Sequence, residues 1–273
     1  MSPILIWYVV MAGVFGLIYG SFSGVVIGRQ PLSIRALIPG SRCDNCHIAI
    51  RWYQNVPVLS WLLLRGRCAA CGVKISVWSP ILELASGIMF ALVASWGLKV
   101  DQSGLVSDDS LLQTIVFLGF ATNWLCIAVI DFVRGQIPNL LVATSLIWGV
   151  LGFAAAGLFF DHLDKLISAL IGAVIFSSLL LAIKLLVPRG LGLGDVKLAA
   201  ALGLGLGWQG LGALAVGVIA SFVFGSIFGL VYSALKRSSL KLAIPFGPWM
   251  ILGTWFGILF GQSIWAEYLA VIR

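Results

Sequence analysis

The chain has 273 residues, 60% of them hydrophobic and 10% charged, with a mean hydropathy of +1.08. These values lie far outside the soluble globular range, and strand-type alternation is absent, so a water-soluble enzyme and a β-barrel are both excluded in favour of an all-α integral membrane protein. The net charge of +7 would suit nucleic acid, but fourteen of the seventeen Lys and Arg residues fall in alternate loops, the pattern that orients a membrane protein. The basic charge therefore reads as topology and anionic-lipid contact, with no nucleic-acid partner.

Eight apolar segments approach the length of about 20 residues that a spanning helix needs: 4–27, 80–98, 112–131, 138–160, 165–187, 195–208, 211–235 and 243–262, the sixth being short. The first lacks a basic leader and is long enough to span, so it reads as an anchor rather than a cleaved signal. No internal repeat is visible. The expected fold is an all-α polytopic protein of eight transmembrane helices, with a small cytoplasmic insertion between the first two. This divides the chain into a first helix (1–28), a four-cysteine domain (29–79) and a seven-helix membrane domain (80–273). Basic loops on the cytoplasmic side place both termini outside and put Asp131 and Asp195 at the cytoplasmic face.

Helix one closes in Gly20-Ser-Phe-Ser-Gly24, small residues that let helices approach closely in a membrane. The insertion that follows is too small to build a robust core unaided. It carries two C-x-x-C pairs, Cys43 with Cys46 and Cys68 with Cys71. That pattern matches a zinc ribbon in which each pair gives two sulfurs to one tetrahedral ion, and four thiolates leave no open position for catalysis. Disulfides are the competing reading, disfavoured by a cytoplasmic location. His47 reads as a bystander.

Helix two opens at Pro80 and carries Glu83 and, one turn on, Gly87. Glu83 either pairs with an arginine of the insertion, Arg65 or Arg67, or has a functional role; Gly87 is either packing or site. The loop 99–111 is acidic and external. Helix three delivers Asp131, with Cys126 a small hydrophobe on the way. A polar turn leads to Ile137-Pro138-Asn139, where proline suits a helix start. His162 belongs to an outer loop. Helix five ends at Pro188, and Gly190, Gly192 and Gly194 then lead into Asp195 and Lys197. Alternating glycines weaken helix there, which predicts a local opening around Asp195. The competing reading is a glycine cap followed by a surface pair of Asp195 with Lys197. Gly203, Gly205 and Gly207 read as membrane packing or a turn rather than a nucleotide loop. The last helix starts at Ile244-Pro-Phe-Gly-Pro248.

A carboxylate at a membrane boundary is costly and reads by default as functional. If Asp131 and Asp195 converge, two like charges a few ångströms apart cannot both ionise comfortably, and the pair holds one proton between them. One carboxylate then deprotonates a water while the other donates to a scissile carbonyl. The competing class is a proton-coupled transporter using the same two aspartates as a relay. That reading predicts acids at mid-bilayer and repeated helical units.

Gly192-Leu-Gly-Asp195-Val-Lys197, Asp131 with Ile137-Pro-Asn139, the four cysteines and Ile244-Pro-Phe-Gly-Pro248 together resemble the bacterial type IV prepilin peptidases. Gly20-Ser-Phe22, Pro57-Val-Leu-Ser-Trp61, Arg65-Gly-Arg-Cys68 and Pro80-Ile-Leu-Glu-Leu84 extend the resemblance along nearly the whole chain. It implies a multi-pass protein of the bacterial inner membrane that cuts the short basic leader from type IV prepilins or type II secretion pseudopilins, with Asp131 and Asp195 catalytic. Gly192, Gly194, Lys197, Pro138 and Asn139 would support them. It also implies methylation of the new N-terminus with S-adenosylmethionine, involving the insertion, Glu83 and Gly87. The chain departs from the family pattern at Gly24, Gln54 and Trp78-Ser79, departures that bear on methyl transfer and spare the aspartates. A peptidase without methyl transfer is the alternative within the family.

Overall fold

The computed structural model describes residues 2–29, 41–43, 45–101, 104–188, 190–236 and 245–272. Asp44, Arg189, Ile244 and the basic loop residues 237–241 lie outside the described residues. The elements are α1 (Pro3–Gly28), a single 3₁₀ turn (Trp52–Gln54), α2 (Leu59–Leu63), α3 (Trp78–Gly97), α4 (Asp108–Arg134), α5 (Asn139–Phe159), α6 (Leu163–Leu186), α7 (Leu193–Gln209), α8 (Leu211–Lys236) and α9 (Gly247–Ile272). Among the described residues the only β structure is three isolated bridges. All eight segments expected from hydropathy are helices, and seven of them are long and apolar enough to cross a membrane. The eighth, α7, has 17 residues, roughly 25 Å at 1.5 Å per residue.

Two of the helix ends that differ from the sequence expectation involve polar residues. α4 begins at Asp108, inside the stretch expected to be loop, because Asp108 and Asp109 fall in its first turn, where negative charge suits the helix dipole. α9 continues to Ile272 rather than ending near 262. The polar Gln262 that lowers hydropathy there donates its amide to the Gln209 carbonyl at the end of α7.

The chain forms two compact units, Met1–Cys126 and Ile127–Arg273. In the first, α1 packs along α3. Contact is at backbone range: a Cβ on Gly20 would stand 2.5 Å from Glu83 Cα, and one on Gly16 would stand 2.7 Å from Phe90 Cβ. Small residues at this spacing bring two membrane helices together where lipid supplies no hydrophobic drive.

In the second unit α7 is the central element, packed against α5, α6, α8 and α9. Its side chains from Leu198 to Trp208 are almost all buried, as expected of a helix apolar on every face. Gly203 and Gly207 lie against the α6 backbone at Gly172 and Ser168, closer than any side chain allows. These glycines are therefore the packing residues that their sequence context suggested. Phe153 of α5 stacks on Trp208 with ring centroids 4.2 Å apart.

Candidate active site

Asp131 sits in the last turn of α4 and is 4% exposed. Its Oδ2 accepts the backbone N–H of Gly247, the first residue of α9, at 3.0 Å. A helix N-terminus offers unpaired N–H groups and the positive end of the dipole, so a carboxylate is well held there. Glycine is needed at 247 for space: a Cβ would lie 2.7 Å from Asp131 Oδ2. The polar turn expected straight after Asp131 comes later, because α4 continues to Arg134 and Gly135 then turns the chain with φ +64°.

Asp195 lies in the first turn of α7 and is 8% exposed. Its Oδ2 accepts the N–H of Gly192, the N-cap residue, at 2.9 Å, the reach-back contact that an acidic residue makes three positions into a helix. The surface pair of Asp195 with Lys197 does not form. Lys197 instead donates from Nζ to Asn139 Oδ1 at 3.0 Å, tying the starts of α7 and α5 together. Asn139 accordingly does not cap α5; the N-cap residue is Pro138, whose carbonyl accepts from Leu141 and Val142.

Ile137 connects the two carboxylates. Its side chain fills the space beside Gly194, where a Cβ would meet Ile137 Cβ at 3.0 Å. The same side chain reaches Gly247, where a Cβ would be 3.4 Å from Ile137 Cδ1. One apolar residue is thus wedged between the two helix starts that hold the aspartates, and Asp131 lies within electrostatic range of Asp195. Asp131, Pro138, Asn139, Gly192, Gly194, Asp195 and Lys197 consequently gather at one end of the second unit. The site also contains residues that sequence reasoning missed: Ile137 as a wedge, Gly247 as a donor, and Lys184 near the end of α6, whose Nζ donates to the Leu191 carbonyl at 2.8 Å. The signal for Lys184 was a lone cation closing an apolar run beside the glycine stretch.

In the first unit the sulfurs of Cys43, Cys46, Cys68 and Cys71 all lie within 4.8 Å of one another, with Cys43 and Cys71 at 3.8 Å. Four thiolates about 2.3 Å from one tetrahedral ion stand about 3.8 Å apart, so the arrangement fits a metal. The two pairs are built alike: Cys43 N–H bonds Ile48 O and Cys68 N–H bonds Val73 O, and each turn closes on a residue of positive φ, His47 or Gly72. His47 is thus part of the knuckle backbone. The Val73 N–H, chiefly, with further help from Asn45 and the neighbouring sulfurs, draws the Cys71 thiol down to about 6. At Cys46 the Ile48 amide pulls downward, but burial and the surrounding sulfurs prevail and push the thiol up to about 11.

Glu83 is 6% exposed, and its partner is neither Arg65 nor Arg67. Its Oε2 accepts the backbone N–H of Val58 at 2.6 Å. Val58 has φ +60° and ψ −51°, and the Leu59 N–H bonds back to Pro57 O at 2.6 Å. That is a strained γ-turn on a β-branched residue, held by a buried carboxylate. Gly87 is a packing position, where a Cβ would collide with Leu17 at 2.8 Å.

A bundle of apolar helices with two buried carboxylates at helix ends in one unit, and a four-cysteine insertion in the other, carries the groups that an aspartyl peptidase of the membrane boundary needs. Comparison with known proteins agrees. Residues 14–96 match the bacterial peptidase A24 N-terminal domain, and residues 118–234 match the type IV leader peptidase family. A prepilin leader peptidase/N-methyltransferase of Stutzerimonas stutzeri is 33% identical, covering 97% of this chain and 95% of its own length. Proteins of the same description from Aeromonas salmonicida and Neisseria gonorrhoeae are 32% and 34% identical, covering 97% and 93% of this chain and 95% and 91% of their own lengths. The chain belongs to the type IV leader peptidase family and is a peptidase. No solved structure matches it significantly.

Proposed function

We propose that this enzyme removes the short basic leader of type IV prepilins or type II secretion pseudopilins at the cytoplasmic face of the bacterial inner membrane, using Asp131 and Asp195. The observation that carries the reading is that each carboxylate is buried and held by one amide of a helix start, Gly247 for Asp131 and Gly192 for Asp195. In the proposed reaction one carboxylate takes a proton from water as its oxygen attacks the scissile carbonyl carbon. The other, protonated, donates to the carbonyl oxygen. Collapse of the tetrahedral intermediate breaks the C–N bond, and a proton passes to the departing amine. Gly192 is exposed beside Asp195 and is where an extended peptide would approach, the space at Gly194 being taken by Ile137, while Lys197, Pro138 and Asn139 fix the helix starts. Both aspartates lie at helix ends rather than mid-span, which argues against a proton-relay transporter.

The test is mass spectrometry of a prepilin co-expressed with the intact protein, with Asp131→Asn or with Asp195→Asn. Leader removal should fall about 10³-fold or more in either variant while the protein remains in the membrane. Normal processing by either variant would refute the dyad.

The four cysteines are proposed to hold one structural zinc, which would staple the 29–79 insertion that a short apolar core cannot hold by itself. Methylation of the new N-terminus by S-adenosylmethionine is proposed from the relatives' description as N-methyltransferases. The geometry at Glu83 and Gly87 does not fit a bound cofactor, since one is engaged by Val58 and the other is packed on Leu17. No methyl-transfer step is therefore assigned to them. At Gly24, where the family usually has asparagine, a Cβ would meet nothing within 4 Å. The same mass spectra read methylation directly: cleavage without an added methyl group would mark a peptidase alone.

A further inference from the structure

We propose that Lys184 is a positioning residue of the peptidase, which orients Asp195 through one peptide group. This inference rests on the peptidase reading above. Lys184 Nζ donates to the Leu191 carbonyl at 2.8 Å, and the Gly192 N–H donates to Asp195 Oδ2 at 2.9 Å. Leu191 C=O and Gly192 N–H belong to the same planar peptide unit, and in a trans peptide they point in opposite directions. Fixing the oxygen therefore aims the N–H. Gly192, which borders this unit, has no Cβ to limit its rotation, so the unit needs a further anchor. An ammonium on the oxygen also polarises the peptide and strengthens the hydrogen bond its N–H makes.

Among the described residues, Lys184 is the cation with both a hydrogen bond to this turn and a direct electrostatic effect on Asp195. From α4 the facing group is Asp131, a second carboxylate. Lys197, on α7 itself, is taken by Asn139. α5 has no charged residue, the only one in α8 is its last, Lys236, and the only one in α9 is Glu267, twenty residues from the helix start. A cation in the last turn of α6 would suit the helix dipole wherever it pointed. Lys184 instead reaches across to the turn that aims Asp195.

The test is leader removal by purified full-length protein in detergent, with a prepilin as substrate, comparing wild type, Lys184→Met, Lys184→Gln and Lys184→Arg. Misplacing a catalytic group costs rate rather than substrate binding. We expect Lys184→Met and Lys184→Gln to lower kcat about tenfold or more with KM within twofold of wild type, and Lys184→Arg to restore most of it. If the Met variant does not accumulate, the Gln variant is read by the same split. A kcat within twofold of wild type in a neutral variant, a loss confined to KM, or an equal loss in Lys184→Arg would overturn the proposal and leave the peptidase standing. Absence of cleavage by the wild type, with several prepilins, would remove both.

Discussion

Asp131 and Asp195 are each held by one hydrogen bond from a glycine amide, and at Gly247 the carboxylate fills the space that a side chain would take. This gives Gly247 a sharper role than a turn former. Gly247→Ala would force its methyl group against Asp131 Oδ2, which lies 2.7 Å from the Cβ position. Either the carboxylate or the start of α9 must shift. We expect leader removal to fall about tenfold or more while the amount of protein in the membrane is unchanged. Cleavage at the wild-type rate would show that the Gly247 contact is dispensable. Glu83 illustrates the limit of reading a residue from its neighbours in sequence. Arginines nearby suggested an ion pair, yet the carboxylate turns to a backbone N–H that the Val58 γ-turn leaves without a helix or strand partner.

At the scale of elements, two features place the chemistry. α7 is too short to span with ease, and its glycines press it to the backbone of α6, so its start, and Asp195 with it, is fixed by packing on four neighbouring helices. The cysteine knuckles are the second feature. With the Cys46 thiol pushed up to about 11, metal binding must release a proton there, because thiolates are the ligands. Affinity should consequently weaken as pH falls. We expect about one zinc per chain in protein purified under reducing conditions, and loss of it in Cys46→Ser. Loss of the metal should expose the 41–77 region to limited proteolysis while the membrane helices stay protected. Wild-type protein without metal, or a Cys46→Ser variant that keeps it, would remove the structural-zinc proposal.

At the scale of the whole molecule, seven helices are apolar and of spanning length; the proposed topology adds a crossing by the shorter α7, which would put both termini on one side. In that topology the distribution of Lys and Arg would put the termini outside. We expect a reporter fused after Arg273 to be active outside the cytoplasm, and one inserted in the four-cysteine segment to be active inside. The opposite pattern would reverse the orientation and place the aspartates on the wrong face for a cytoplasmic leader.

Hydropathy alone determined the number of long helices and most of their limits, because a bilayer-sized apolar run with paired backbone has few alternatives to a helix. The cysteine spacing determined a four-thiolate cluster, since each pair is a local turn that needs little help from the rest of the chain. The two aspartates stood out for a related reason: ionisable groups at a membrane boundary are too costly to be incidental. What holds those aspartates was not legible. Gly247 is 116 positions from Asp131, Asn139 is 58 from Lys197, and Ile137 looks like any apolar residue before a proline. Only tertiary packing brought them together, because hydrogen bonds between distant segments depend on how helices cross, and a side chain's chemistry does not reveal which backbone it will meet.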